Sequence, residues 1–158
     1  MRLTTYTDYA LRTLMHLAVN RDRLVTIQDI ANLHSISKNH LTKVVHQLGQ
    51  IGLVTTVRGR NGGLKLGAEP ADINIGNVVR QTETDFHMAE CFHRGKNRCV
   101  YASACVLEDV LGAATAAYLR VLDGVTLDKL VIKKTGIPVA GITSQPVTFL
   151  SNSKITNS

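Results

Sequence analysis

The three cysteines of the 158-residue chain, Cys91, Cys99 and Cys105, all lie in one stretch, AECFHRGKNRCVYASACV (residues 89–106). Thiolates bind soft or borderline metals, so zinc, copper(I) and iron in clusters are the chemistries to weigh. Structural zinc sites place cysteines about two to four residues apart, so that one tight turn brings two sulfurs to one ion. Here seven residues separate the first two cysteines and five separate the second from the third. That spacing suits a larger object, an iron–sulfur cluster with one cysteine per iron. A 4Fe–4S cluster held this way has one iron without a cysteine, to be supplied by another residue, by water or by a second protomer; a 2Fe–2S cluster is the other form open to the loop. Two alternatives use the same residues. His87 or His93 could complete a zinc site with the three cysteines. Arg94, Lys96 and Arg98 could lower thiol pKa values in a metal-free thiol sensor, and would equally offset the charge of a thiolate-bound cluster. The odd cysteine count argues against a disulfide framework.

The elements around this loop follow from periodicity. Thr5 to Asn20 reads as a helix with Ala10, Leu11, Leu14, Met15, Leu17 and Ala18 inward, and with Asp8, Arg12 and His16 opposite at spacing four. Thr26-Ile-Gln-Asp29 has the form of a capping box and opens a second helix with Ile27, Ile30, Ala31 and Leu33 as its apolar members. After a tight turn at residues 34–36, Ser37 is placed to cap a third helix, Lys38 to Gln50, with Leu41, Val44, Val45 and Leu48 inward. Small Ala31, Ile36 in the turn, and Leu41 with Val44 beyond it make the pattern of a helix-turn-helix. Residues 53–58 and 64–66 are β-type runs about a Gly/Asn turn, a hairpin placed to be a wing. The glycines do not form a nucleotide-binding loop, because Leu64 falls where G-x-x-x-x-G-K-[ST] needs its second glycine. A short helix is expected over Ile73 to Gln81, and a long one, capped by Ser103, from the last cysteine to about Leu122. The long helix carries two adjacent apolar stripes: Leu107, Leu111, Ala114, Tyr118 and Val121, and Val106, Val110, Ala113 and Ala117. Two stripes need two partners, the chain's own winged unit and the same helix of a second copy. Thr126 would cap a last turn through Leu130.

The expected fold is mainly α with a small β-wing: a winged helix-turn-helix unit (1–82), a cysteine loop (83–106), a dimerisation helix with a short helix after it (107–132), and a flexible tail (133–158) rich in Thr, Ser, Pro and Lys. The charge is uneven. Residues 1–65 contain nine Lys/Arg and three acids, so the whole net charge of +6 lies there and the remainder nets zero. Such asymmetry points the winged half at a polyanion. No signal segment is expected, since Asp8 and Arg12 interrupt any apolar region near Met1, and no run of about 18 apolar residues exists to span a membrane. A soluble, cytoplasmic protein is expected, and no nucleophile–base pair suggests an enzyme.

With the winged unit and the loop together, the chain resembles the dimeric winged-helix bacterial regulators that carry iron–sulfur clusters, and among them the nitric-oxide-sensing repressors. The resemblance is carried by LTTYTDYALRTLMHLA (3–18), by SISKNHLTKVVHQLGQIGLVTTVRGRNGGLKLG (35–67), by INIGNVVRQTE (73–83), and by the run from ECF (90–92) through CVYASACVLEDVL (99–111) to LDGVTLDKLV (122–131). It covers about residues 1–131. It implies Cys91, Cys99 and Cys105 as cluster ligands, with Asp8 of the other protomer as the fourth. On the residues alone, Asp8 reads as an exposed i,i+4 partner of Arg12. The family's regulator of cluster assembly has a histidine shortly after the last cysteine. None follows Cys105 here, where Glu108 is the nearby candidate.

The function this implies is a homodimeric repressor that releases operator DNA when nitric oxide damages the cluster. Ser37, Lys38, Asn39 and His40 open the third helix where it meets base edges or phosphates, and Lys43 lies one turn on, towards phosphate. Arg58, Arg60 and Asn61 of the wing would enter the flanking minor groove. The alternatives are a zinc- or thiol-controlled regulator of the same shape and, from another class, a small electron-transfer iron–sulfur protein.

Overall fold

The computed structural model describes residues 2–93, 99 and 105–131. Helix α1 (Thr5–Val19) begins at Thr4, whose backbone is extended and whose hydroxyl accepts the Thr7 N–H at 3.3 Å. It buries Ala10, Leu14, Leu17 and Ala18 and ends one residue before Asn20. Met15 departs from expectation: it is 37% exposed. It stands seven residues after Asp8 and three after Arg12, on the solvent stripe those two define.

Helix α2 (Ile27–His34) has the expected capping box, with Asp29 N–H donating to Thr26 Oγ1 at 3.1 Å and Thr26 N–H donating to Asp29 Oδ2 at 2.9 Å. Ile30 and Ala31 go into the core, but Leu33 is 62% exposed, again against expectation. Two residues beyond Ala31, it points about 200° around the helix from the buried stripe. The turn closes through Ser35, held at φ 54°, while Ile36 N–H reaches the Ala31 carbonyl at 3.0 Å and its side chain is buried. A non-glycine residue in this left-handed region is strained, and the turn into the next helix depends on it.

Helix α3 (Lys38–Gln50) buries Leu41, Val44, Val45 and Leu48 as its spacing predicts. Ser37 occupies the cap position without making a side-chain capping bond, which corrects the expected cap. Strands β1 (Val54–Val57) and β2 (Gly63–Leu66) pair antiparallel, with Val54 opposite Leu66 and Val57 opposite Gly63. The wing turn needs two of its glycines. Gly59 has φ 119°, and a Cβ on Gly62 would stand 2.3 Å from the Val57 carbonyl oxygen. Val25 bridges to Leu64 through a reciprocal pair of backbone bonds at 3.1 and 2.7 Å, which ties the wing to the segment before α2.

After a 3₁₀ turn at Pro70–Asp72, helix α4 (Ile75–Thr82) starts two residues later than its expected start at Ile73. Asn74 takes the cap, accepting Asn77 N–H at 3.0 Å. Ile73 instead enters the core, and its carbonyl accepts Leu127 N–H at 2.9 Å. Helix α5 (Val106–Asp123) begins at Cys105, which takes the cap position; the expected cap, Ser103, lies outside the described residues, as does the tail. Arg80 holds the far end of α5 by a two-pronged bond to the Asp123 carboxylate, one arm at 2.8 Å, and Asn74 Nδ2 donates to the Asp123 carbonyl at 2.7 Å. Helix α6 (Leu127–Leu130) returns Val125 and Leu127 to the core of the winged unit.

No residue of α5 is buried. Leu111, Thr115, Tyr118 and Leu122 are half-covered on one side, while Val106 (72%), Leu107 (59%), Val110 (56%) and Val121 (63%) stand exposed along a helix about 27 Å long. Among the described residues no helix is long and apolar enough to cross a membrane.

Candidate cluster loop and nucleic-acid interface

Two of the three cysteines sit at the ends of regular structure. Cys91 lies in the 3₁₀ turn Glu90–Phe92, where His93 N–H donates to the Glu90 carbonyl at 3.0 Å. Cys105 caps α5, and its carbonyl accepts Glu108 N–H at 3.1 Å. Cys91 and Cys105 are half-buried and Cys99 is exposed. The loop's entry is fastened to α5 by Thr115 Oγ1 donating to Met88 Sδ at 3.0 Å. Burial pushes the Cys91 thiol pKa up, and the charges of Glu108, Cys105 and Cys99 push it the same way. The direction is opposite to the lowering that activates a sensor thiol. Among the described residues, no three His, Cys, Asp or Glu side chains gather closely enough to hold a single metal ion.

The two histidines of the loop pack on each other. His87 and His93 meet edge to face with ring centroids 4.3 Å apart, and His87 stacks on Phe92 at 6.4 Å. Arg94, Lys96 and Arg98 lie outside the described residues. Asp8 stands in the first turn of α1 and accepts Arg12 Nε–H at 3.0 Å, both side chains near half exposure. The groove it lines, with Arg2, Arg12, His34 and Ser35 among its walls, contains no cysteine. Within one chain Asp8 is paired with Arg12, and none of the three cysteines lines the groove beside it.

The basic side is laid out along α3 and the wing. Ser37, Lys38, Asn39, His40 and Lys43 are exposed over the start of α3, and Arg58, Arg60 and Asn61 are exposed in the wing turn. Lys38, Lys43, Arg58 and Arg60 form no ion pair among the described residues, whereas Arg12, Arg21, Arg23 and Arg80 each face a carboxylate. No acid stands in the first turn of α3. The cations on this face are left unneutralised, and a surface so composed attracts a polyanion. Gln47 Nε2 fastens α3 to the end of α4, donating to the Gln81 carbonyl at 2.7 Å.

The sequence reading passed over Tyr6 and Tyr9, which join α1 to α3. Tyr6 Oη donates to the Lys43 carbonyl at 3.1 Å, and the Tyr9 ring lies 6.4 Å from the His40 imidazole, tilted by 34°. Two aromatics at spacing three on the helix that carries Asp8 were the available signal. His16, expected on the open stripe with Asp8 and Arg12, is instead half-buried against His34: the two rings meet edge to face at 6.1 Å, and both Nε2 atoms are buried without a hydrogen-bond partner. Burial, then the charges of His34 and Arg23, hold the His16 pKa below its ordinary 6.5, with Asp29 opposing.

Comparison with known proteins places this geometry. The Rrf2 family profile, described as an iron-dependent transcriptional regulator, matches residues 3–133. The chain is similar to the HTH-type transcriptional regulator NsrR of Bacillus subtilis (strain 168), with 55% identity over 87% of this chain and 94% of that protein. It is similar to the NsrR regulator of Bacillus licheniformis, with 52% identity over 87% of this chain and 96% of that one. Among solved structures, T. potens IscR matches with a TM-score of 0.65 and 26% identity, over 82% of this chain and 85% of that one.

Proposed function

The chain belongs to the Rrf2 family of iron-dependent transcriptional regulators, and from that premise we propose that it is a nitric-oxide-responsive repressor that binds operator DNA as a cluster-loaded homodimer. The observation that carries the reading is the placement of the cysteines. Cys91 and Cys105 flank a loop joined to a helix whose outer face is bare, so the sulfurs lie beside the place a second copy would cover. The donor set is one of soft thiols, spaced more widely along the chain than the tight turn of a structural zinc site requires, and such thiols suit iron in a cluster. The similarity to regulators named NsrR supports the same reading.

In this account Cys91, Cys99 and Cys105 hold the cluster and Asp8 of the partner subunit completes it. When bound, the cluster supplies an iron whose oxygen ligand is harder and more weakly held than thiolate, and which is therefore the one open to nitric oxide. The rest is done by the chain. Asp8 ties α1 of one protomer to the loop of the other. Released, its carboxylate has a resting partner in Arg12, at 3.0 Å on its own helix. Losing the tie changes how the protomers sit, and with that the separation of the two α3 helices, which an operator fixes at about 34 Å or a multiple of it. Each α3 enters the major groove with Ser37, Lys38, Asn39 and His40 leading and Lys43 towards phosphate, and each wing sends Arg58, Arg60 and Asn61 to the minor groove. Glu108, next to the thiols, is the ligand candidate within one protomer.

Anaerobic purification followed by iron, sulfide and zinc analysis tests the reading. Iron with acid-labile sulfide in the wild type, lost in Cys99→Ser and reduced in Asp8→Ala, is expected. Zinc alone would replace the reading with a zinc-controlled regulator. Loss from Glu108→Gln but not from Asp8→Ala would move the fourth ligand to Glu108.

A further inference from the structure

We propose that Tyr6 and Tyr9 are positioning residues that carry the state of Asp8 to the recognition helix, an inference that rests on the function proposed above. The two tyrosines bracket Asp8 in one turn of α1, two residues before it and one after. Spaced by three, they share the face of α1 that meets α3, while Asp8 points to another side with Arg12. Each meets a residue of the DNA-facing set. Tyr6 Oη is hydrogen-bonded to the backbone carbonyl of Lys43, and the ring of Tyr9 lies against His40. Val44, buried at 1% exposure, lines with both tyrosines, His40 and Lys43 the pocket between α1 and α3.

The geometry makes α1 a short lever. A carboxylate bound across the dimer and a carboxylate resting on Arg12 demand different placements of the first turn of α1. A rotation of about 10° at a side-chain radius of about 5–6 Å displaces the ring atoms by about 1 Å. A hydrogen bond of 3.1 Å does not survive an added 1 Å. Because its acceptor is main chain, Tyr6 pulls on the helix itself and not on one flexible side chain. The opposite end of α3 is held by Gln47 on the Gln81 carbonyl, so a pull at Lys43 and His40 tilts the DNA-facing turns about a fixed end.

The test measures operator affinity for cluster-loaded and cluster-free full-length protein and takes their ratio, for the wild type, Tyr6→Phe and Tyr9→Leu. Tyr6→Phe keeps the ring and removes only the hydroxyl. The ratio is expected to fall about fivefold for Tyr6→Phe, the worth of one hydrogen bond, and further when both positions are changed. Affinity for a random duplex should stay at the wild-type value, because neither tyrosine is in the phosphate-contacting set. A merely structural role would weaken both forms alike and leave the ratio unchanged, and that result overturns the proposal. If Tyr9→Leu does not fold, Tyr6→Phe decides alone. A wild-type ratio of one would overturn the cluster-controlled reading as well, and is distinguishable because it is seen before any substitution.

Discussion

Removing Arg58 and Arg60 together isolates the electrostatic share of operator binding. Both side chains are exposed in the wing turn and neither is paired with a carboxylate, so Arg58→Ala with Arg60→Ala takes away charge without taking away a fold contact. Each protomer presents four such cations, Lys38, Lys43, Arg58 and Arg60, and the proposed dimer presents twice as many to the duplex. Each phosphate neutralised contributes about −0.9 to the slope of log affinity against log salt, so the full set gives a slope of about −7. Raising salt from about 50 to 200 mM should then weaken wild-type binding about ten-thousandfold. Without the wing pairs the slope falls to about −3.6, and the same salt change should cost only about 150-fold. Fluorescence anisotropy with a labelled operator duplex across that range reads both slopes, and thermal unfolding of the variant checks that the fold is intact. A variant slope equal to that of the wild type would refute the reasoning, because it would mean that the wing arginines displace no counterions from the duplex.

Val110→Asp with Val121→Asp should dissociate the dimer, since each valine removed from an interface costs about 1.5–3 kcal/mol and counts twice in a two-fold pair; sedimentation equilibrium should show a dissociation constant raised about a hundredfold or more. Gly62→Ala should weaken operator binding without altering iron content, because the new Cβ would meet the Val57 main-chain carbonyl oxygen at 2.3 Å, with no flexible side chain to give way, and the wing turn must deform. Stability should fall with acidification through the His16 range. The folded-state pKa lies below the ordinary 6.5, so the unfolded chain binds more protons between the two values, and the stability present above 6.5 is lost as the pH drops towards the folded pKa. The thermal midpoint should therefore decline below pH 6.5 in the wild type and decline less in His16→Gln.

What was legible in the sequence was local. The Thr26–Asp29 capping box, the buried stripe of α3 and the wing hairpin all follow from residues a few positions apart, and the structure has them where spacing placed them. The misplacements come from tertiary context. Met15 and Leu33 are apolar and fall near the helix periods, but the faces they stand on have no neighbour within the chain. Ile73 reads as the start of a helix, yet Asn74 makes a better cap and Ile73 is used as a core plug that also receives Leu127. In the candidate site, the cysteines announced themselves by being clustered, and the basic residues by their sign. The tyrosine contacts did not. Tyr6 and Lys43 are thirty-seven positions apart and meet through a main-chain acceptor that no side-chain pattern encodes. The exposed stripe of α5 was legible as a surplus, an apolar face wider than one domain can cover.

One titration tests the central claim most directly. Anaerobically prepared, cluster-loaded protein is mixed with increasing nitric oxide, and cluster absorbance and operator anisotropy are followed in the same cuvette. The account predicts that operator binding is lost in step with the absorbance change. Operator affinity that stays constant while the absorbance of the cluster disappears would contradict it.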